Sequence, residues 1–195
     1  MKIITINNND MGQNVYFYFD EVTKEGVIID PGNNIKEITQ TIEQENIQLI
    51  GILLTHGHFD HILYAEEVKR LTNAPIYCHE SEANMLKEPQ LNLSIMVKKE
   101  IGFSPDKLLG QKIFCFKVIH TPGHTSGGVC FYDEENGNLF TGDTLFKDAI
   151  GRTDLPTGDH ETLLNSIKER LFTLPDNAVV YPGHGGSTTV KAEKS

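Results

Sequence analysis

The sequence predicts an α/β protein built as an αββα sandwich, two facing mixed β-sheets with helices outside. Two observations predict it. Each half of the chain runs through strands, then a helix, then a strand, as two similar sheet layers with outer helices require. Residues 48–54 (QLIGILL) form a short continuous apolar run, the pattern of a strand covered on both faces. The 195 residues fit one domain spanning 1–195.

The elements follow in order. Residues 2–6, 15–19 and 27–29 are β-branched or aromatic runs separated by turn residues, and read as strands. Asp30-Pro31-Gly32-Asn33 breaks the chain. Ile35, Ile38, Ile42 and Ile47 then recur at near-helical spacing, which predicts an amphipathic helix over 35–45. After the buried strand, Ile62, Ala65, Val68 and Leu71 place a helix over 61–71. A strand at 75–78 precedes a short helix over 81–86 with Ser81 as its N-cap. Residues 88–109 are ambiguous, with Pro89, Gly102 and Pro105 as breakers around a helical pattern. In the second half, 112–119, 129–132 and 139–141 read as strands. A helix over 161–172 turns Leu164, Ile167 and Leu171 inward, and 179–181 is a last strand. The final KAEKS is expected to fray.

Composition excludes several function classes. The chain carries 17 Lys+Arg against 27 Asp+Glu, a formal charge of −10, and shows no basic patch for nucleic acid or for an anionic membrane. No run is long enough to span a bilayer, and the first residues lack the apolar stretch of a signal peptide. Cys78, Cys115 and Cys130 are odd in number and without CxxC spacing, so a reducing compartment is expected. The expectation is a soluble, cytoplasmic protein.

Directly after the apolar strand comes Thr55-His56-Gly57-His58-Phe59-Asp60-His61. A solvated polar loop would account for one histidine, but not for three with an aspartate inside six residues. Imidazole and carboxylate are ligands that borderline divalent metals favour. His56 and His58 can turn together toward one ion if the backbone is extended, while Asp60 and His61 turn toward a second position. Gly57 allows close backbone approach. Three later loops repeat the form of strand, turn residues and one ligand-type residue: Thr121-Pro122-Gly123-His124, Phe140-Thr141-Gly142-Asp143 and Tyr181-Pro182-Gly183-His184.

With these motifs the chain resembles the metallo-β-lactamase-fold hydrolase superfamily, and within it the small glyoxalase II-like (hydroxyacylglutathione hydrolase-like) proteins. The resemblance runs from His56 to His184. It implies the αββα sandwich already read from the pattern. It also implies that His56, His58 and His124 hold one metal, that Asp60, His61 and His184 hold a second, and that Asp143 bridges them. Asp60 and Asp143 would further orient a metal-bound hydroxide. Two divalent ions, zinc first with iron or manganese as alternatives, suit such ligands. A bridging water is acidified by the metals and attacks an acyl carbon. A thiolate leaves without prior protonation, so an S-acyl adduct of a small thiol suits the site, whereas an amide would need a proton donor. Two-metal β-lactamases commonly carry cysteine where Asp143 stands, which argues against lactamase activity here.

On the substrate side, Gly151-Arg152-Thr153-Asp154 resembles both small glyoxalase II-like proteins and persulfide dioxygenases. Full-length glyoxalase II typically has lysine at Arg152, a tyrosine near Asp154 and a C-terminal helical domain; this sequence has none of these, which bears on glutathione recognition. Arg152, with Lys147, is the candidate for binding an anionic thioester, by a bidentate contact to a carboxylate; an ion pair between Arg152 and Asp154 is the structural alternative. The competing activity is that of a mononuclear-iron persulfide dioxygenase using His56, His124 and Asp143. Of the other histidines, His79 reads as a loop residue or one that supports a ligand without binding metal, His160 as structural, and His120 as a residue that orients the site. Thr55, Thr121 and Thr141 are each placed to fix a ligand by hydrogen bonding.

Overall fold

A computed structural model describes residues 1–7 and 12–194. The N-terminal half builds a sheet from β1 (Lys2–Ile6), β2 (Val15–Phe19), β3 (Glu25–Ile29), then, across helix α1 (Ile35–Glu45), β4 (Gln48–Leu53). Helices α2 (Phe59–Ile62) and α3 (Ala65–Thr72) lead to β5 (Ile76–Cys78) and β6 (Lys107–Leu108), and the six strands lie in sequence order. β1, β2 and β3 pair antiparallel; β3, β4, β5 and β6 pair parallel. The second sheet takes β7 (Lys112–Ile113), β8 (Phe116–His120), β9 (Val129–Asp133) and β10 (Asn138–Gly142). After a small hairpin of β11 (Leu145–Phe146) and β12 (Ala149–Ile150) and helix α4 (His160–Ser166), β13 (Val179–Pro182) and β14 (Thr188–Thr189) complete it before α5 (Val190–Glu193). β13 pairs parallel with β10.

Three apolar layers make this the expected αββα sandwich. Strand periodicity of two sorts β2 between them. Tyr16 and Tyr18 face the second sheet, where they meet Phe116, Phe131 and Phe140. Val15, Phe17 and Phe19 face outward onto Ile38 of α1 and Val68 of α3. Leu139 and Val180 on the far face of the second sheet pack on Leu163 and Leu171. Truncating a fully buried ring such as Phe17 to alanine would cost about 3–5 kcal/mol. The first helix starts where Asn34, in a left-handed conformation, accepts from the Glu37 N–H and donates to its carboxylate.

The structure corrects several expectations. The helix expected over 61–71 is two helices. The Tyr64 N–H bonds to the Pro31 carbonyl, which breaks the helical ladder, and Leu71 ends up 54% exposed. The segment 81–86 is two 3₁₀ turns, Glu80–Glu82 and Met85–Lys87, and the cap is His79, whose Nδ1 accepts from the Ser81 N–H. Residues 112–119 split into the β7–β8 hairpin because Phe114 adopts φ 52°. In the helix over 161–172, Leu163 rather than Leu164 is the buried residue, and the last turn, Ile167–Leu171, is a π-turn. The C-terminal residues do not simply fray: Thr189 caps α5 and Lys194 pairs with Asp176 at 2.7 Å, while Ser195 lies outside the described residues. Cys78 and Cys130 are buried, and burial pushes both thiols up to about 12. No helix among the described residues is long and apolar enough to cross a membrane.

Candidate metal centre

The chemistry-bearing residues sit on four loops that follow the C-terminal ends of β4, β8, β10 and β13. Sequence forces each loop into place. Gly123 adopts φ 135°, and a side chain there would lie 2.3 Å from the Leu163 nitrogen, so α4 can press against the His124 loop. Gly142 adopts φ 48°, with the Thr55 side chain against it. Gly183 lets the last loop close on the centre: a Cβ would sit 2.2 Å from Asp143 Oδ1 and 2.7 Å from His61 Cε1.

Two groups of three result. His56, His58 and His124 offer ligand atoms within 4.8 Å of one another, and so do Asp60, His61 and His184. Asp143 lies between them. Its Oδ1 is 3.3 Å from His61 Nε2, and its Oδ2 is 3.7 Å from His124 Nε2 and 3.6 Å from His184 Nε2. Asp60 Oδ2 is 3.3 Å from His184 Nε2. All seven predicted ligands are therefore brought together. Asp30, His56 and His61 form a third such group. The Asp30 oxygens, however, already accept from the Thr55 N–H (2.7 Å) and hydroxyl (2.6 Å) and face His61 Nδ1 (2.9 Å), so Asp30 supports ligands instead of adding one.

The residues fit a pair of cations. His56 Nε2, His61 Nε2 and Asp143 Oδ1 are buried polar atoms without a hydrogen-bond partner, a costly arrangement unless a cation takes their lone pairs, and His58 Nδ1 faces His124 Nε2 at 2.9 Å. Burial, reinforced by the neighbouring imidazoles, holds His56 well below its ordinary value and brings His58 to about 3, so both imidazoles are neutral and free to donate to a cation. Burial lowers His124 too. Burial opposes charge on His61 as well, yet the carboxylates of Asp143 and Asp60 override it and push this imidazole well above its ordinary value. Burial likewise disfavours the Asp143 carboxylate, but the positive field of His61 holds it well below the usual range. The second half of the centre is thus a pocket that attracts positive charge.

A profile of the Metallo-beta-lactamase superfamily matches residues 8–184. The chain belongs to the metallo-β-lactamase superfamily. It is 40% identical to a probable metallo-hydrolase of Streptococcus pyogenes serotype M6, over all of this chain and 88% of that protein. It is 37% identical to the hydroxyacylglutathione hydrolase GloC of Haemophilus influenzae, over all of this chain and 95% of that one. Among solved structures, BLEG-1, described as a B3 metallo-beta-lactamase, superposes with a TM-score of 0.93 at 36% identity, covering 98% of this chain and 96% of that one. TTHA1623 in a di-iron-bound form superposes with a TM-score of 0.87 at 32% identity and the same coverage. This superfamily member is a metallo-hydrolase by its relatives and its ligand groups.

The residues expected around the ligands divide. Thr55 does hold one: its hydroxyl lies 3.0 Å from His56 Nδ1. Thr121 and Thr141 do not; their hydroxyls go to Thr144 (2.9 Å) and to the Leu145 carbonyl (2.7 Å). His120 does not face the ligands; it stacks on His79 at 4.2 Å and its Nε2 lies 3.0 Å from the Ser126 carbonyl. His160 opens α4. Arg152 is exposed and forms a two-pronged pair with Asp154, both contacts at 2.7 Å. Its carbonyl lies 2.7 Å from His124 Nδ1, so this loop also orients a ligand. Lys147 is exposed in the turn of the β11–β12 hairpin, next to Phe146, whose ring is 6.2 Å from that of His184. Asp30 and Glu82 escape a reading by motif. The one signal for Asp30 was an acid closing a buried apolar strand.

Proposed function

We propose that this metallo-hydrolase is a binuclear thioesterase that cleaves S-acyl adducts of a small thiol. The observation that carries the two-ion reading is Asp143, whose two oxygens lie against ligands of both groups of three. His56, His58 and His124 would hold one ion, Asp60, His61 and His184 the other, and Asp143 both. When bound, two such ions supply an acidified water and a Lewis acid for an acyl oxygen. The protein's own part is orientation. Thr55 and Asp30 fix the His56 and His61 rings from behind, and the Arg152 carbonyl fixes His124. Asp60 and Asp143, lying against the ligand nitrogens, would accept hydrogen bonds from the attacking water and set its direction. The thiolate product needs no donated proton, which suits a centre built of ligands alone.

The likeness to GloC, a hydroxyacylglutathione hydrolase, supports a thioester of a small thiol. Arg152 and Lys147, exposed beside the ligand loops, are the cations proposed to meet an anionic substrate. Zinc is the proposed ion, with iron the alternative that the di-iron neighbour supports. The protein is proposed to work in the cytoplasm, without nucleic-acid or membrane partners.

The test is metal analysis followed by substrate assay. The reading expects two ions per chain and release of free thiol from S-lactoylglutathione. One iron per chain with oxygen uptake on glutathione persulfide would instead establish the dioxygenase alternative. Rapid opening of a β-lactam with inert thioesters would move the protein to the lactamase branch.

A further inference from the structure

We propose that Glu82 is a positioning residue for the three-histidine half of the centre, joining the two loops that carry its ligands through one buried carboxylate. This rests on the ligand assignment above. Glu82 ends the turn after β5 and is fully buried. Its Oε2 accepts from the Gly57 N–H at 2.8 Å, and its Oε1 accepts from the Gly127 N–H at 2.7 Å. Gly57 stands between His56 and His58, and Gly127 stands three residues after His124. One side chain therefore ties the loop carrying two ligands to the loop carrying the third.

The chemistry requires a carboxylate. The two N–H groups come from different loops and each needs its own acceptor oxygen. A carboxamide offers one acceptor and would set its NH₂ against the other donor. Burial pushes this carboxyl above its ordinary value, and the Thr125 hydroxyl together with the two backbone donors works against that. The close fit also accounts for glycine on both loops. A Cβ on Gly127 would stand 2.8 Å from Glu82 Cγ, and one on Gly57 would stand 3.1 Å from Oε2 and 2.9 Å from Met85 Cγ.

The clamp bears most directly on one half, since Asp60 and His61 are carried beyond Gly57 on α2. The His184 loop is tied instead by Asn14, whose N–H bonds to the Gly183 carbonyl (2.7 Å) and whose side chain bonds to the Pro182 and Gly185 carbonyls (2.9 Å each). Loosening Glu82 should therefore weaken one ion and spare the other.

The test is titration of the metal-free full chain with Co²⁺, followed by visible absorption. The variants His58→Ala and Asp60→Ala, each lacking a ligand of one group, identify the two ions. Glu82→Gln is expected to weaken the His58-dependent ion by about 10–100-fold and to leave the Asp60-dependent ion unchanged. Unchanged binding of both ions, or equal loss of both, overturns the proposal. A wild-type chain that takes up only the His58-dependent ion overturns the two-ion reading, and Glu82 is then judged on that ion. Should Glu82→Gln not fold, amide exchange in the metal-free wild type decides. The Gly57 and Gly127 amides are expected to be protected, and exchange at open-loop rates would overturn the clamp.

Discussion

His61 Nδ1 lies 2.9 Å from Asp30 Oδ2, and the same oxygen accepts the Thr55 hydroxyl at 2.6 Å. Thr55 in turn touches His56. One carboxylate thus orients a ligand of each half from behind. Asp30→Ala is expected to weaken metal binding about 10–100-fold. It should also destabilise the fold by about 1–3 kcal/mol for each buried donor left without an acceptor. Denaturant unfolding and metal titration on the same preparation check both effects.

Gly183→Ala should disable the centre without replacing any of the seven residues that converge on it. The added methyl would overlap Asp143 Oδ1 and His61 Cε1, so Asp143 must move. Displacement of a reacting geometry by about 1 Å can cost about a hundredfold in rate. The expected result is a fall in kcat of that order, read by thiol release, together with fewer than two ions bound.

Chelation should lower thermal stability. Ligands that bind only the folded chain stabilise it by mass action; at about 100 times Kd this is about 2.7 kcal/mol, or roughly 5–10 °C in Tm for a chain of this size. Melting curves with chelator and with restored zinc measure the shift. Identical curves would contradict an ion held by the orphaned buried nitrogens.

Arg152 and Asp154 separate a structural role from a substrate role. The pair is exposed and screened by solvent, so neither Arg152→Ala nor Asp154→Asn should shift Tm. If Arg152 meets an anionic substrate, Arg152→Ala raises KM with kcat kept, and Asp154→Asn, which frees the guanidinium, lowers KM. Steady-state kinetics at low and high salt read this directly.

Asp133 gives a pH signature far from the metal. Burial alone would raise its carboxyl, but it accepts from the Tyr18 hydroxyl, the Asn136 side chain and the Asn136 and Glu135 N–H groups, which together hold it below its ordinary value of 3.8. A depressed folded-state value means that its stabilisation is complete above the unfolded value and is lost as pH falls through the folded one. Asp133→Asn should be less stable than wild type at neutral pH, and the gap should narrow only below pH 3.8. Unfolding curves at neutral and acid pH test the sign.

The seven residues that converge on the centre were legible because each follows a strand and sits among turn residues, so local spacing carried the information. Asp30, Glu82 and Asn14 were not, because each acts across a long stretch of chain, as Asn14 does over 168 residues to Pro182. Single acids and amides carry no spacing pattern. The layers were legible from periodicity, but element ends were not. Nothing local marks that Tyr64 bonds to Pro31, or that Phe114 turns to φ 52°. Leu163 rather than Leu164 faces inward, where its backbone lies against Gly123, a tertiary contact that propensity does not contain.

The Asn14 clamp also sets how much of the fold each half of the centre depends on. The three-histidine group draws on β4, β8, their loops and the Glu82 turn. His184 sits where β13 pairs with β10 and where Asn14, 168 residues before Pro182, bonds to its loop. The two ends of the chain therefore meet at one loop, so that loss of order at either end reaches the group of Asp60, His61 and His184.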